Sequence, residues 1–171
     1  MNKTHAILEL QEIRPIYQKT ERLTVLILIL ALPAFGMVYL FQNSGNVNWD
    51  LPRLPEFFEW ALAGISSLIL VAQNVIFHKK IKTGFQQTEL VEKVKIYTQA
   101  TSQRFLILFA VSILTTVGLL LNKNPVFTVI FAVALVFFSL AKPSPDRMAR
   151  LMKLKKEDRE LVREASRPEL S

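Results

Sequence analysis

Apolar residues gather into four long runs along this chain, at positions 23–41, 60–77, 105–121 and 126–141, and no run contains an Asp, Glu, Lys or Arg. About 20 apolar residues in helical form cross the roughly 30 Å of hydrocarbon in a bilayer, so each run is long enough, or nearly so, to span one. Between the runs the charges are lopsided. With the connections numbered alternately inside and outside from an inner N-terminus, the inner segments hold nineteen Lys and Arg and the outer ones only Arg53 and Lys123. The positive-inside rule then assigns both termini and the 78–104 connection to the cytoplasm. The pattern predicts an all-α integral membrane protein. It has four transmembrane helices in an up-down bundle, with cytoplasmic amphipathic helices at both ends.

The organisation follows from these runs. Residues 1–22 form a cytoplasmic amphipathic arm. Residues 23–141 form the transmembrane domain, with spans at about 23–41, 57–77, 104–121 and 125–141. Residues 142–171 form a basic amphipathic tail. In the arm, Ile7, Leu10 and Ile13 recur at helical spacing opposite Glu9, Glu12 and Arg14, which predicts a short helix ending near Pro15. The first span follows some twenty mostly polar residues and has no small-residue cleavage site after it, so it reads as a retained signal anchor. Pro33 within it predicts a kink. Residues 42–56, with three Asn, one Gly and two Pro, predict an outer loop. Phe57, Phe58 and Trp60 suit the outer aromatic belt. Glu56 and Glu59 suit the positive end of the second helix dipole, with a cation or proton site as the alternative.

The second span is the most polar. Ala63 and Ser67 form a small-xxx-small pair, and Ser66, Gln73 and Asn74 lie on the same helix. Ser112, Thr115, Thr116 and Gly118 offer similar contacts in the third. Uncharged polar groups at membrane depth face protein or water, so these residues are expected either to bond between helices or to line a polar path. In the inner connection, Thr83-Gly84-Phe85-Gln86 resembles a capping box, and the third helix is expected to begin near Thr88. Asn124 and Pro125 predict the start of the fourth helix. Ser144, Pro145 and Asp146 predict another helix beyond it. Met148, Leu151 and Met152 give that segment an apolar edge flanked by Arg147, Arg150, Lys153, Lys155 and Lys156. A helix over 144–156 lying on the inner membrane surface follows, the alternative being a topology signal that stays in water.

The chain is 171 residues long with a net charge of +7 and no cysteine. It therefore has no disulfide framework and cannot run the thiol chemistry of four-helix quinone-linked oxidoreductases. Only His5 and His78 are present, both outside the spans, and no acidic residue lies deep in a span. Those features exclude intramembrane bis-histidine haem and the carboxylate-dependent mechanism of small proton-coupled exporters. No nucleotide-binding glycine loop or nucleophile–base motif occurs. No metal, cofactor or catalytic residues are therefore expected.

Arg104-Phe-Leu-Ile-Leu, the turn at 122–125, and Ala-Lys-Pro-Ser-Pro-Asp-Arg-Met-Ala-Arg-Leu-Met-Lys-Leu-Lys-Lys-Glu-Asp-Arg-Glu-Leu-Val at 141–162 resemble a family of small, uncharacterised bacterial four-span membrane proteins. The resemblance covers the C-terminal half. It implies an inner-membrane bundle without a known activity and carries over no site residues. Two functions follow as expectations. One is a non-catalytic accessory or scaffold component that binds a partner protein or anionic lipid headgroups through its cytoplasmic helices, with no role for nucleic acid. The other is a small homo-oligomeric channel or carrier, its path lined by Ser66, Ser67, Gln73, Asn74, Ser112, Thr115 and Thr116.

Overall fold

The computed structural model describes residues 3–44 and 52–167, with side chains from residue 5 onward. The expectations for residues 45–51 of the outer loop lie outside these. Six helices follow in order: α1 (Lys3–Ser44), α2 (Glu56–Phe85), α3 (Leu90–Asn122), α4 (Pro125–Ala141), α5 (Pro145–Leu151) and α6 (Lys156–Ala165). There is no strand among the described residues. Three helices, α1 to α3, are long and apolar enough to cross a membrane, or four if the bent pair α4 and α5 counts as one span. The protein is a helical, multi-pass type of membrane chain.

Burial along the long helices has a coiled-coil rhythm. In α1, Ile13, Tyr17, Thr20, Thr24, Ile27, Ala31 and Phe35 are buried; in α2, Ala63, Ser66, Leu70, Gln73, Phe77, Ile81 and Gly84 are. Steps of three and four average about 3.5 residues, the repeat that keeps one seam facing its neighbours when helices pack nearly parallel or antiparallel. Pro15 does not end the first helix. Gln11, whose carbonyl loses its usual N–H partner at Pro15, is exposed to water, while Ile13 and Tyr17 are buried either side of the proline. Packing of that face outweighs the local cost of proline. α1 also continues through Pro33 to Ser44.

The chain divides into two compact units. The first comprises Met1–Val25, Val75–Gln103 and Lys142–Ser171; the second comprises Leu26–Asn74 and Arg104–Ala141. Eighteen of the 21 Lys and Arg, and eleven of the 14 Asp and Glu, belong to the first. The two units invert each other's solvent logic. In the second, Leu40, Leu68 and Val129 are more than 60 % exposed, while Ser66, Gln73, Arg104, Ser112 and Thr115 are buried. Water would penalise such a surface, whereas hydrocarbon favours it.

In the second unit, α3 packs against three partners. Gln73 on α2 meets Arg104, Gln42 on α1 donates to the Leu119 carbonyl, and Phe138 on α4 lies 5.4 Å from Phe105. Phe35 of α1 stacks on Phe131 of α4 at 3.8 Å. The turn into α4 forms as expected: Asn124 Oδ1 accepts from Val126 N at 2.9 Å and Pro125 opens the helix. Gly118 has a further requirement, because a Cβ there would overlap the Phe127 ring.

The first unit has its own apolar core. Ile13 and Tyr17 of α1, Phe77 and Ile81 of α2, Val94 and Tyr97 of α3, Met148 and Met152, and Leu161 and Val162 of α6 cluster within it. The 83–86 segment is not a helix start. Thr83 lies in the last turns of α2, where its hydroxyl donates to the Lys79 carbonyl, and α3 begins at Leu90. Nor is 144–156 one helix. Ser144 caps α5 as expected, accepting from Arg147 N at 3.1 Å, but α5 stops at Leu151. Leu154 N bonds to the Ala149 carbonyl and Lys153 takes φ 46°, the Schellman ending normally supplied by glycine. The chain then turns into α6.

Candidate functional site

The basic residues of the tail are carried by three different elements. Arg147 and Arg150 are on α5, Lys153 lies in the connector, and Lys155 immediately precedes α6 with Lys156 as its first residue. Arg150, Lys153, Lys155 and Lys156 are exposed and Arg147 is half-buried. The apolar edge expected to enter the membrane points elsewhere. Met148 and Met152 are fully buried in the core of the first unit, and only Leu151 keeps partial exposure. The reason is proximity: the Met152 Cε is 2.9 Å from where a Cβ on Gly84 would stand, so α5 fills the notch left by that glycine on α2.

Lys153 Nζ sits 4.9 Å from the centre of the Phe85 ring, a cation–π distance. That contact brings the 153–156 lysines beside the last turn of α2, which also carries Lys82. Two basic stretches seventy residues apart thereby share one surface. In the first turn of α5, Asp146 Oδ1 accepts from Arg159 Nη2 at 2.9 Å and from Arg163 Nη2 at 2.7 Å. These bonds hold the Asp146 carboxyl below the usual carboxylate range, Arg159 contributing most, and tie α6 to the start of α5. Burial, reinforced by Tyr97, pushes the Tyr17 phenol far up, so it stays neutral in the core.

The polar residues of the spans do not form one continuous set. Gln73 Oε1 accepts from Arg104 Nε at 2.7 Å, both residues being more than 95 % buried. This is an interhelical bond of the kind expected for Gln73, but its partner was not foreseen. Asn74 is half-buried one position on. Ser67 is exposed and donates to the Ala63 carbonyl, so the small residue facing the interior is Ser66 instead. Ser112, Thr115 and Thr116 donate to the carbonyls of Leu108, Val111 and Ser112, one turn back on their own helix. Hydroxyls used in this way have their donor satisfied without a neighbouring helix. Ser112 and Thr116 line a groove of about 320 Å³ between α1 and α3, and its remaining walls include Leu30, Ala31, Phe109 and Ile113. Among the described residues, Ser66 Oγ and Gln73 Nε2 make no hydrogen bond.

Glu59, placed at the α2 dipole, has a second task. Its two carboxylate oxygens accept from the side-chain amides of Asn122 and Asn124, and Asn122 Oδ1 accepts from Leu54 N at 3.1 Å. The carboxylate thus braces the α3–α4 turn against the start of α2. Arg104 and this brace were the two features that sequence reasoning missed. The first stood at the edge of an apolar run, and the second needs residues more than sixty positions apart. No family model, curated protein or solved structure matches this chain.

Proposed function

We propose that this protein is a non-catalytic integral component of a bacterial inner membrane, with four spans and both termini in the cytoplasm. In this reading it serves as an accessory or scaffold, binding a partner protein or anionic lipid through the helices of its charged unit. The observation that carries the reading is the core of that unit. Segments that merely joined membrane spans would have no need of buried Ile13, Tyr17, Val94, Tyr97, Met148 and Val162 packed together from four helices. A folded, water-facing unit with a net charge of +7 is a platform for contacts.

The channel reading has less support. Leu70 and Leu108 are buried between the level of Gln73 and Arg104 and that of Ser66 and Ser112, which interrupts a polar path along α2 and α3. Proteoliposomes provide the test. The reconstituted protein should leave vesicles no more permeable to K⁺, Na⁺ or Cl⁻ than empty ones. A flux abolished by Ser112→Leu or Gln73→Leu would overturn the reading.

A further inference from the structure

We infer that Lys153 over the Phe85 ring, with Lys82 one turn back on α2 and Lys155 and Lys156 next along the chain, forms a docking surface for an acidic, aromatic-bearing segment of a soluble protein. The inference rests on the scaffold reading above and names the kind of partner. Three observations support it.

The first is unspent charge. All four lysines are exposed, and none makes an ion pair among the described residues, although Glu92 and Asp146 of the same unit are both engaged by other cations. Lys155 and Lys156 also stand at the start of α6, where the helix dipole disfavours cations, and Lys155 provides no side-chain cap. Local rules broken without a gain in folding are characteristic of surfaces kept for binding.

The second is the aromatic ring. Among the described large apolar side chains of this unit from Phe77 onward, Phe85 is the exposed one, at 43 %, and the cation of Lys153 occupies part of it. An exposed ring beneath a lysine, on a helix turn that also carries Lys82, matches a ligand that supplies carboxylates and an apolar side chain together.

The third separates a soluble partner from lipid. Phe85 lies eight residues beyond Phe77, where the second apolar run ends, which is about 12 Å along the helix. The headgroup layer is only about 5–7 Å deep on each side, less than this 12 Å. Screening over roughly 8 Å weakens the pull of the leaflet further. Met148 and Met152, the residues suited to anchor this stretch in lipid, are buried in protein.

The test uses the full chain in nanodiscs of neutral phosphatidylcholine and a fluorescein-labelled ten-residue Glu/Phe peptide as the probe. Binding should be detectable, should weaken with added salt, and should fall about tenfold or more in Lys82→Glu/Lys155→Glu. That variant leaves Lys153 and its backbone conformation untouched. A control with the same charge change at two exposed cations outside the cluster, Lys19→Glu/Arg53→Glu, should bind like the parent. Phe85→Ala should lose affinity by a few-fold while keeping the salt dependence. Absence of binding by the parent, or equal losses in variant and control, would overturn the proposal. So would unchanged peptide affinity accompanied by loss of co-purified anionic lipid, which would make the ligand a membrane surface. With vesicles silent in the flux assay, such a failure removes only the acidic partner; a positive flux removes the scaffold reading itself.

Discussion

Replacing Gln73 by Leu probes a contact that joins a buried cation on α3 to α2 within the second unit. The substitution deletes the acceptor 2.7 Å from Arg104 Nε, at a position 1 % exposed facing one 4 % exposed. A hydrogen bond to a charged group is worth about 1.5–3 kcal/mol in water-soluble proteins. Interhelical hydrogen bonds in membranes average nearer 0.6 kcal/mol, with about 1.7 as the upper end. Leucine also adds apolar surface at a buried site, which offsets part of the loss. A destabilisation of about 1–2 kcal/mol is expected, because the guanidinium loses a buried acceptor and cannot shed its charge. The measurement is reversible unfolding in mixed micelles, followed by helical circular dichroism, for Gln73→Leu, Arg104→Leu and the double variant. Coupling of about 1 kcal/mol between the two positions is expected. Gln73→Glu, which keeps an acceptor in place, should be at least as stable as the parent. Additive losses, with coupling below about 0.3 kcal/mol, would refute the reasoning.

The remaining predictions address other elements. Asn74→Leu should lower stability in detergent by about 1 kcal/mol, read by the same unfolding assay. Gly118→Ala forces a methyl group into the buried Phe127 ring and should cost about 1–3 kcal/mol, whereas Gly36→Ala, with open space around it, should be near neutral. Ser144→Ala removes the α5 cap and should cost about 1 kcal/mol. The Asp146 carboxyl has a lowered pKa, so the stabilisation from its clamp is present above the unfolded value of about 3.9 and disappears as pH falls through the native one. Hydrogen exchange in α6 should therefore be constant from pH 5 to 8 after correction for intrinsic rates, and faster throughout in Asp146→Asn. In this cysteine-free chain, a single cysteine at Ser44 should react with an impermeant thiol reagent in intact spheroplasts, and one at Thr83 or Ser166 should not. The reverse labelling would invert the orientation.

The amino-acid sequence by itself determined the features whose causes are local. Charge-free runs mark helices able to span a bilayer, because hydrocarbon accepts no unpaired backbone group. Ser144-Pro145 and Asn124-Pro125 mark helix starts, because each supplies its cap within three residues. The end of α5 had no such sign, since a lysine occupies the left-handed position where glycine is the usual signal. Pro15 signalled a stop that the packing of Ile13 and Tyr17 overrode. Met148 and Met152 formed an apolar edge on paper, yet spacing alone cannot distinguish lipid from a protein neighbour, and the notch at Gly84 decided for protein. Tertiary structure also brought Arg104 to Gln73, Glu59 to Asn122 and Asn124, and Lys153 to Phe85. Each pair is separated by thirty residues or more, and a contact at that separation depends on how helices register against one another rather than on any motif within them.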